Sequence, residues 1–112
     1  MDAPGILIGL MDVLVGVSVI LLAGPLIRGE VRMNRWYGVR VGHAFESEEK
    51  WRDVNQFGGR QLRTWGSIVL AAGIVALLFD LDSNPSLLIL FVLAPLLLLI
   101  PAMRAAIYAR RT

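Results

Sequence analysis

Hydrophobic positions fall into three long blocks separated by two polar connections of very unequal length. Residues 5–27 carry a single charge, Asp12. About 20 apolar residues suffice to cross a hydrocarbon core roughly 30 Å thick. A central carboxylate costs about 3 kcal/mol on insertion, and the Leu, Ile and Val residues of the block each favour insertion by about 0.3 to 0.6 kcal/mol. There are fourteen of them, so the block is predicted to span. Residues 62–79 form a second, shorter block, with Trp65 suited to the interface and Arg63 able to snorkel toward headgroups. The third block opens at Asn84 and Pro85, a capping residue followed by a residue suited to the first helical position, and covers residues 85–108. Pro95 and Pro101 lie inside it, and each is predicted to bend the helix. The pattern predicts an all-α chain, residues 1–112 forming a single integral membrane domain with three transmembrane helices.

The connections set the orientation. Spans two and three are joined by Asp80, Leu81, Asp82, Ser83 and Asn84, which predicts an antiparallel hairpin with an acidic tip. The loop of residues 28–61 holds Arg28, Arg32, Arg35, Arg40, Lys50, Arg52 and Arg60, and the third block ends in Arg104, Arg110 and Arg111. The positive-inside rule then places the long loop and the C-terminus in the cytoplasm, with the N-terminus and the acidic turn outside. Composition agrees: at 56% hydrophobic and 18% charged, the 112 residues hold too much apolar surface for a small water-soluble globule. The net charge of +2 and pI near 9.7 do not point to nucleic acid, because the arginines flank spans, where topology and anionic headgroups account for them. With no cysteine there is no disulfide or thiolate site. The start, Met1-Asp2-Ala3-Pro4, lacks the basic residues of a cleaved signal. We find no repeat or heptad run.

Within the loop, Ser47 followed by Glu48 and Glu49 reads as a helix start, a hydroxyl cap with acids that complement the helix dipole. Trp51, Val54, Asn55, Gly58 and Leu62 then share one face, which predicts an amphipathic helix lying on the membrane surface. Gly58-Gly59 is a predicted bend where the chain turns from the surface into the bilayer. Upstream, Trp36 through Val41 is aromatic and β-branched and is predicted to be extended, stopped by Gly42.

These residues resemble a known family. Asn34, Arg35, Trp36, Tyr37, Gly38, Val39 and Arg40, then Ser47, Glu48, Glu49, Trp51 and Asn55, then Gly58-Gly59-Arg60 entering a span, are similar to the pattern of the SdpI family of bacterial membrane proteins. The likeness covers residues 34–73, and departs where Val41-Gly42 stands in place of the family's usual Thr-Pro. It implies a bacterial inner-membrane protein. The member that names the family protects its producer from a secreted toxic protein and helps relay the toxin's presence to a membrane-held transcriptional repressor.

Two places carry candidate chemistry. Asp12 shares a stripe with Gly5, Gly9, Gly16 and Ala23, small residues that let a second helix approach, so it is expected to face protein. Its depth, about 10 Å below the outer end of the span at 1.5 Å per residue, matches Gly73 on span two and Pro95 on span three. Because the Pro95 ring frees the Phe91 carbonyl, a protonated Asp12 has an acceptor within the expected reach; the alternatives are a proton or ligand role and an acid near the aqueous surface. In the loop, Asn34, Arg35, Tyr37, Arg40, Glu48, Glu49, Trp51 and Asn55 supply donors, acceptors and aromatic surface. Read internally, Arg40 pairs with Glu48 or Glu49, and Asn55 bonds loop backbone. Read functionally, they form a cytoplasmic-face pocket for a lipid headgroup or partner peptide. His43 and Glu46 have an H-x-x-E spacing but fall in a loop, and with one histidine and no cysteine no metal site is expected. No cofactor or catalytic constellation is expected.

The expected function is therefore recognition, an immunity-like or sensor-like membrane protein binding a toxin, a lipid or another membrane protein without catalysis. From a different class, the chain is an accessory or structural subunit of a larger complex. A third reading is a homo-oligomeric transporter built around Asp12.

Overall fold

The computed structural model describes residues 3–79 and 82–111, and among these it contains helices, turns and loops but no strand. Four α-helices follow in order: α1 (Ala3–Ile27), α2 (Glu48–Leu78), α3 (Pro85–Val92) and α4 (Leu99–Arg111). One 3-10 turn, Gly42–Glu46, precedes α2, and another, Ala94–Leu98, links α3 to α4. Pro4–Ile27, Glu48–Leu78 and Pro85–Arg111 are each long and apolar enough to cross a membrane, so the protein is an all-helical, three-span membrane protein. Leu14, Leu21, Leu78, Ile89 and Leu90 are exposed along these spans, as lipid-facing side chains should be.

Helix ends follow from local chemistry. Ser47 Oγ accepts the Lys50 amide at 3.0 Å to start α2. Asn84 Oδ1 accepts the amides of Ser86 and Leu87 at 3.1 and 3.4 Å, with Pro85 in the first turn of α3. The end of α1 is a Schellman motif: Gly29 sits at φ +71, its amide reaches the Leu26 carbonyl at 3.1 Å, and the Glu30 amide reaches Pro25 at 3.0 Å. At the opposite end of α1 the Gly5 amide donates to Asp82 Oδ1 at 3.1 Å, so an acid of the hairpin turn caps a helix 77 residues away in sequence. Asp80 and Leu81, the other predicted members of that turn, lie outside the described residues.

The prolines act differently from each other. Around Pro95 the helix tightens into the 3-10 turn and α3 ends, as the missing N–H requires. Pro101 is the third residue of α4, close behind that interruption, and α4 runs on through it to Arg111. One break therefore serves both.

The expected bend at Gly58-Gly59 is absent. α2 runs unbroken through both glycines for 31 residues, about 46 Å at 1.5 Å per residue. That exceeds a hydrocarbon core of roughly 30 Å, so the charged first turns project beyond the bilayer as part of the spanning helix, not as a separate surface helix. Both glycines are buried. Gly59, Gly66 and Gly73 recur every seven residues on α2, opposite Gly9, Gly16 and Ala23 at the same interval on α1. A small-residue heptad thus exists that hydrophobic patterning does not register, and it permits the close antiparallel contact that dominates the fold. A Cβ at Gly16 would lie 2.6 Å from the Leu70 nitrogen, and one at Gly73 would lie 2.5 Å from the Val13 nitrogen. α2 is the central helix: it packs on α1 along one side and on α4 along another, while the backbones of α1 and α4 stay apart among the described residues. Toward the loop end of the bundle α1 and α4 therefore stand apart, and the loop fills part of the gap.

Candidate functional site

The loop is held by three side chains. Asn34 Oδ1 accepts the amides of Trp36 and Tyr37 at 2.8 and 2.7 Å while its Nδ2 donates to the Arg32 carbonyl at 2.7 Å, an Asx turn that reverses the chain. Asn55, 2% exposed on α2, grips Val39 by both backbone groups: its Oδ1 accepts the Val39 amide at 2.5 Å and its Nδ2 donates to the Val39 carbonyl at 3.3 Å. The same Nδ2 also donates to the Trp51 carbonyl at 2.9 Å. Trp51 is 0% exposed, and its indole N–H reaches the Val31 carbonyl at 2.9 Å. It packs with Ala44, Val54 and Ala109 under Val31, Met33, Val39 and Val41, so it anchors the loop to the protein; the expected anchor in the membrane surface is overturned by this burial.

Between these clamps the segment predicted as extended is an irregular run of bends pairing with no strand. Gly38 explains part of this: at φ +114 it occupies backbone space that side chains rarely enter, and a Cβ there would lie 2.6 Å from Asn55 Oδ1. Tyr37 turns back to α1, where its hydroxyl donates to the Leu22 carbonyl. Burial lifts the Tyr37 phenol above the ordinary tyrosine range, opposed by the nearby Arg28, so the hydroxyl stays a neutral donor.

Arg40 does not pair with Glu48 or Glu49, as the internal reading expected. Its Nη1 donates instead to the Arg35 carbonyl at 2.5 Å, and Glu48 and Glu49 are exposed in the first turn of α2, where their charge complements the helix dipole. The Arg35 and Arg40 guanidiniums meet no carboxylate among the described residues. Glu30 takes Arg28 at 3.0 Å, and Glu46 takes His43 at 3.0 Å and Lys50 at 4.0 Å.

The loop walls a cleft of about 390 Å³ between the separated ends of α1 and α4. Leu22 and Leu26 line it from α1, Gly58 and Leu62 from α2, and Pro101 and Ala102 from α4. Residues 37–41 close the remaining side. Arg40 also borders a second cavity of about 510 Å³, shared with Arg35 and Phe45. Of the residues singled out in the sequence, Tyr37 and Arg40 line the cleft and Arg35 lies beside it. Asn34, Trp51 and Asn55 act behind its wall, and Glu48 and Glu49 stand outside it. The α1 and α4 contributors were missed as site residues, Pro101 being read only as a bend; Gly58 is a signal beside them, since its missing side chain admits Val39, a Cβ there lying 2.5 Å from Val39 Cγ2.

The family comparison fits this geometry. A protein-family model for the SdpI/YfhL protein family matches residues 30–104, about two thirds of the chain. This chain belongs to that family. No curated protein and no solved structure matches it. In this SdpI/YfhL family member the matched stretch opens with the loop, covers α2 and α3, and ends in α4, so it takes in most of the cleft wall while α1 lies before it.

Asp12 lies elsewhere, on the α1–α2 seam between Gly9 and Gly16. It faces protein, as its stripe predicts, and is 0% exposed. Neither carboxyl oxygen has a hydrogen-bond partner among the described residues, so the expected bond to the Phe91 carbonyl is not formed. A buried polar group without a partner destabilises a fold by about 1–3 kcal/mol. Asp12→Asn, which keeps the shape and removes the ionisable group, is therefore expected to leave the thermal midpoint in detergent unchanged or raised. A fall of several degrees would show that the carboxyl has a partner in the assembled protein.

Proposed function

We propose that this SdpI/YfhL family member is a recognition protein of a bacterial inner membrane. It binds a toxin, a lipid or a membrane partner in the cleft and performs no catalysis. The observation that carries this reading is the cleft: Tyr37, Gly38, Val39 and Arg40 of the family-like motif form one wall of an apolar recess near two arginines, Arg35 and Arg40, that meet no carboxylate among the described residues. Sites for small ligands are commonly recesses of about 300–1,000 Å³, mostly apolar with a few polar groups. The motif's two asparagines, Asn34 and Asn55, spend their hydrogen bonds on holding that wall. The arginine-rich loop and C-terminus support a cytoplasmic location for the cleft, with the N-terminus outside.

The chain has no cysteine, so a single introduced thiol can carry a fluorescent label. Bimane on Ala102→Cys, in the cleft, is expected to change its emission saturably when inner-membrane lipid extract or a secreted toxic protein is added to phosphatidylcholine vesicles holding the protein. The same label on Ile89→Cys, exposed on α3, should not respond. Equal responses at both sites, or none at Ala102, would overturn the reading.

A further inference from the structure

The two cavities that share Arg40 differ in chemistry in a way that defines an occupant. One is walled mainly by Leu22, Leu26, Val39, Leu62 and Pro101, and the other by Arg35, Arg40 and Phe45. An apolar recess that shares Arg40 with a neighbouring arginine-lined cavity is complementary to a molecule with a hydrocarbon chain and an anionic head. We propose that this cleft binds one anionic phospholipid, its phosphate held by Arg35 and Arg40 and an acyl chain lying between α1 and α4. The proposal rests on the reading of the cleft as a binding site and names its ligand.

Three observations support it. First, the charges are available. Among the described residues Arg40 meets the Arg35 carbonyl, through Nη1, and no carboxylate, and the Arg35 guanidinium meets no carboxylate. Guanidinium is the side chain suited to phosphate, offering planar forks of N–H donors that bind its oxygens in pairs. Second, the depth is right. The cleft begins at the last turns of α1, just before Arg28, where a span reaches the headgroups. Trp36, between Arg35 and Tyr37, is 87% exposed, as an aromatic side chain seated in a bilayer interface would be in the protein alone. Third, the wall does not suit an extended peptide. Peptides that dock on irregular edges pair with free backbone groups, but both backbone groups of Val39 are already taken by Asn55. The lining that remains is mostly apolar, with Arg40 at its border.

The test measures selectivity between lipids. With bimane on Ala102→Cys in vesicles, phosphatidylglycerol carrying brominated acyl chains is expected to quench at a several-fold lower mole fraction than brominated phosphatidylcholine. Arg35→Gln and Arg40→Gln should each reduce that preference about fivefold, the usual effect of one basic side chain near an anionic headgroup. Thermal midpoints equal to the parent's identify variants that remain folded. If Arg40→Gln loosens the loop, Arg35→Gln decides alone, since the Arg35 guanidinium meets no carboxylate among the described residues. Inorganic phosphate, compared with chloride at equal ionic strength, should leave the preference intact because it lacks the acyl chain. Equal quenching by the two lipids, a preference unchanged in folded arginine variants, or its loss to inorganic phosphate would each overturn the lipid assignment. A label at Ala102 that responds to a toxic protein but not to phosphatidylglycerol would refute the lipid and leave the cleft reading standing. A label that responds to neither would refute both.

Discussion

Gly16→Leu is expected to destabilise the protein by about 3 kcal/mol or more, at or beyond the upper end of overpacking effects. The reason is what the new side chain meets. A Cβ at Gly16 would lie 2.6 Å from the Leu70 nitrogen and 2.8 Å from both the Gly66 oxygen and the Leu70 Cα. All three are backbone atoms of α2, so no side-chain rotation relieves the contact and the helices must separate. Separation would then open the neighbouring small-residue positions Gly9, Gly59, Gly66 and Gly73, since in a bilayer close packing, not hydrophobic burial, holds helices together. Gly24→Ala is the control, because its Cβ would touch only the flexible end of Arg28, at 3.0 Å. In a helix an alanine there is neutral or favourable by up to about 1 kcal/mol. Thermal or detergent denaturation of the two variants reads the difference directly, and a Gly16→Leu protein as stable as the parent would remove the seam as the main contact.

The seam also explains which parts of the fold the sequence disclosed. Span positions follow from solvent: a run of apolar residues must enter the bilayer whatever it packs against, so all three were legible from hydropathy alone. The face of Asp12 was legible too, because small residues on its stripe require a close neighbour. Its partner was not, since depth counted along separate helices does not fix which side chains meet. Gly58-Gly59 misled for a related reason. In water-exposed helices paired glycines weaken a helix, but between packed spans Gly59 is the start of the α2 glycine series and Gly58 makes room for Val39.

In the loop, the pattern disclosed a buried stripe but not what covers it. Trp51, Val54, Asn55 and Gly58 were correctly placed on one face, and all four are buried. Amphipathicity states only that a face avoids water, and membrane and protein satisfy it equally. The choice is made by partners distant in the chain: Asn55 finds Val39 sixteen residues upstream, and Trp51 finds Val31 twenty upstream. Both depend on the left-handed backbone at Gly38 and the Asx turn at Asn34, which no periodicity reveals. Arg40 was assigned to an acid by charge alone. Once the loop is folded, its guanidinium bonds the Arg35 carbonyl and meets no carboxylate among the described residues, and Arg40 borders the cleft.

Trp51→Ala is expected to release the loop without unfolding the spans. Removing a fully buried tryptophan typically costs about 3–5 kcal/mol through lost contacts and the cavity left behind. Here the change also strands the Val31 carbonyl and removes the ring that packs on Phe45 at a centroid distance of 5.2 Å. Trp51→Phe should cost less, since it keeps most of the apolar volume and loses mainly the hydrogen bond, typically about 1 kcal/mol. Trypsin reads the result, because Arg32, Arg35 and Arg40 all lie in the segment that Trp51 and Asn55 hold. When cleavage follows transient opening, each 1.4 kcal/mol speeds it tenfold, so Trp51→Ala should be cut at least about a hundredfold faster than the parent. The α1–α2 seam lies outside this cluster, and its stability should be additive with that of the loop. The Gly16→Leu variant should therefore lower the unfolding midpoint far more than it accelerates loop cleavage, and Trp51→Ala should do the reverse. If instead both variants accelerate cleavage and lower the midpoint in parallel, loop and bundle are one cooperative unit, and a ligand seated in the cleft would be felt along the whole length of α1 and α2.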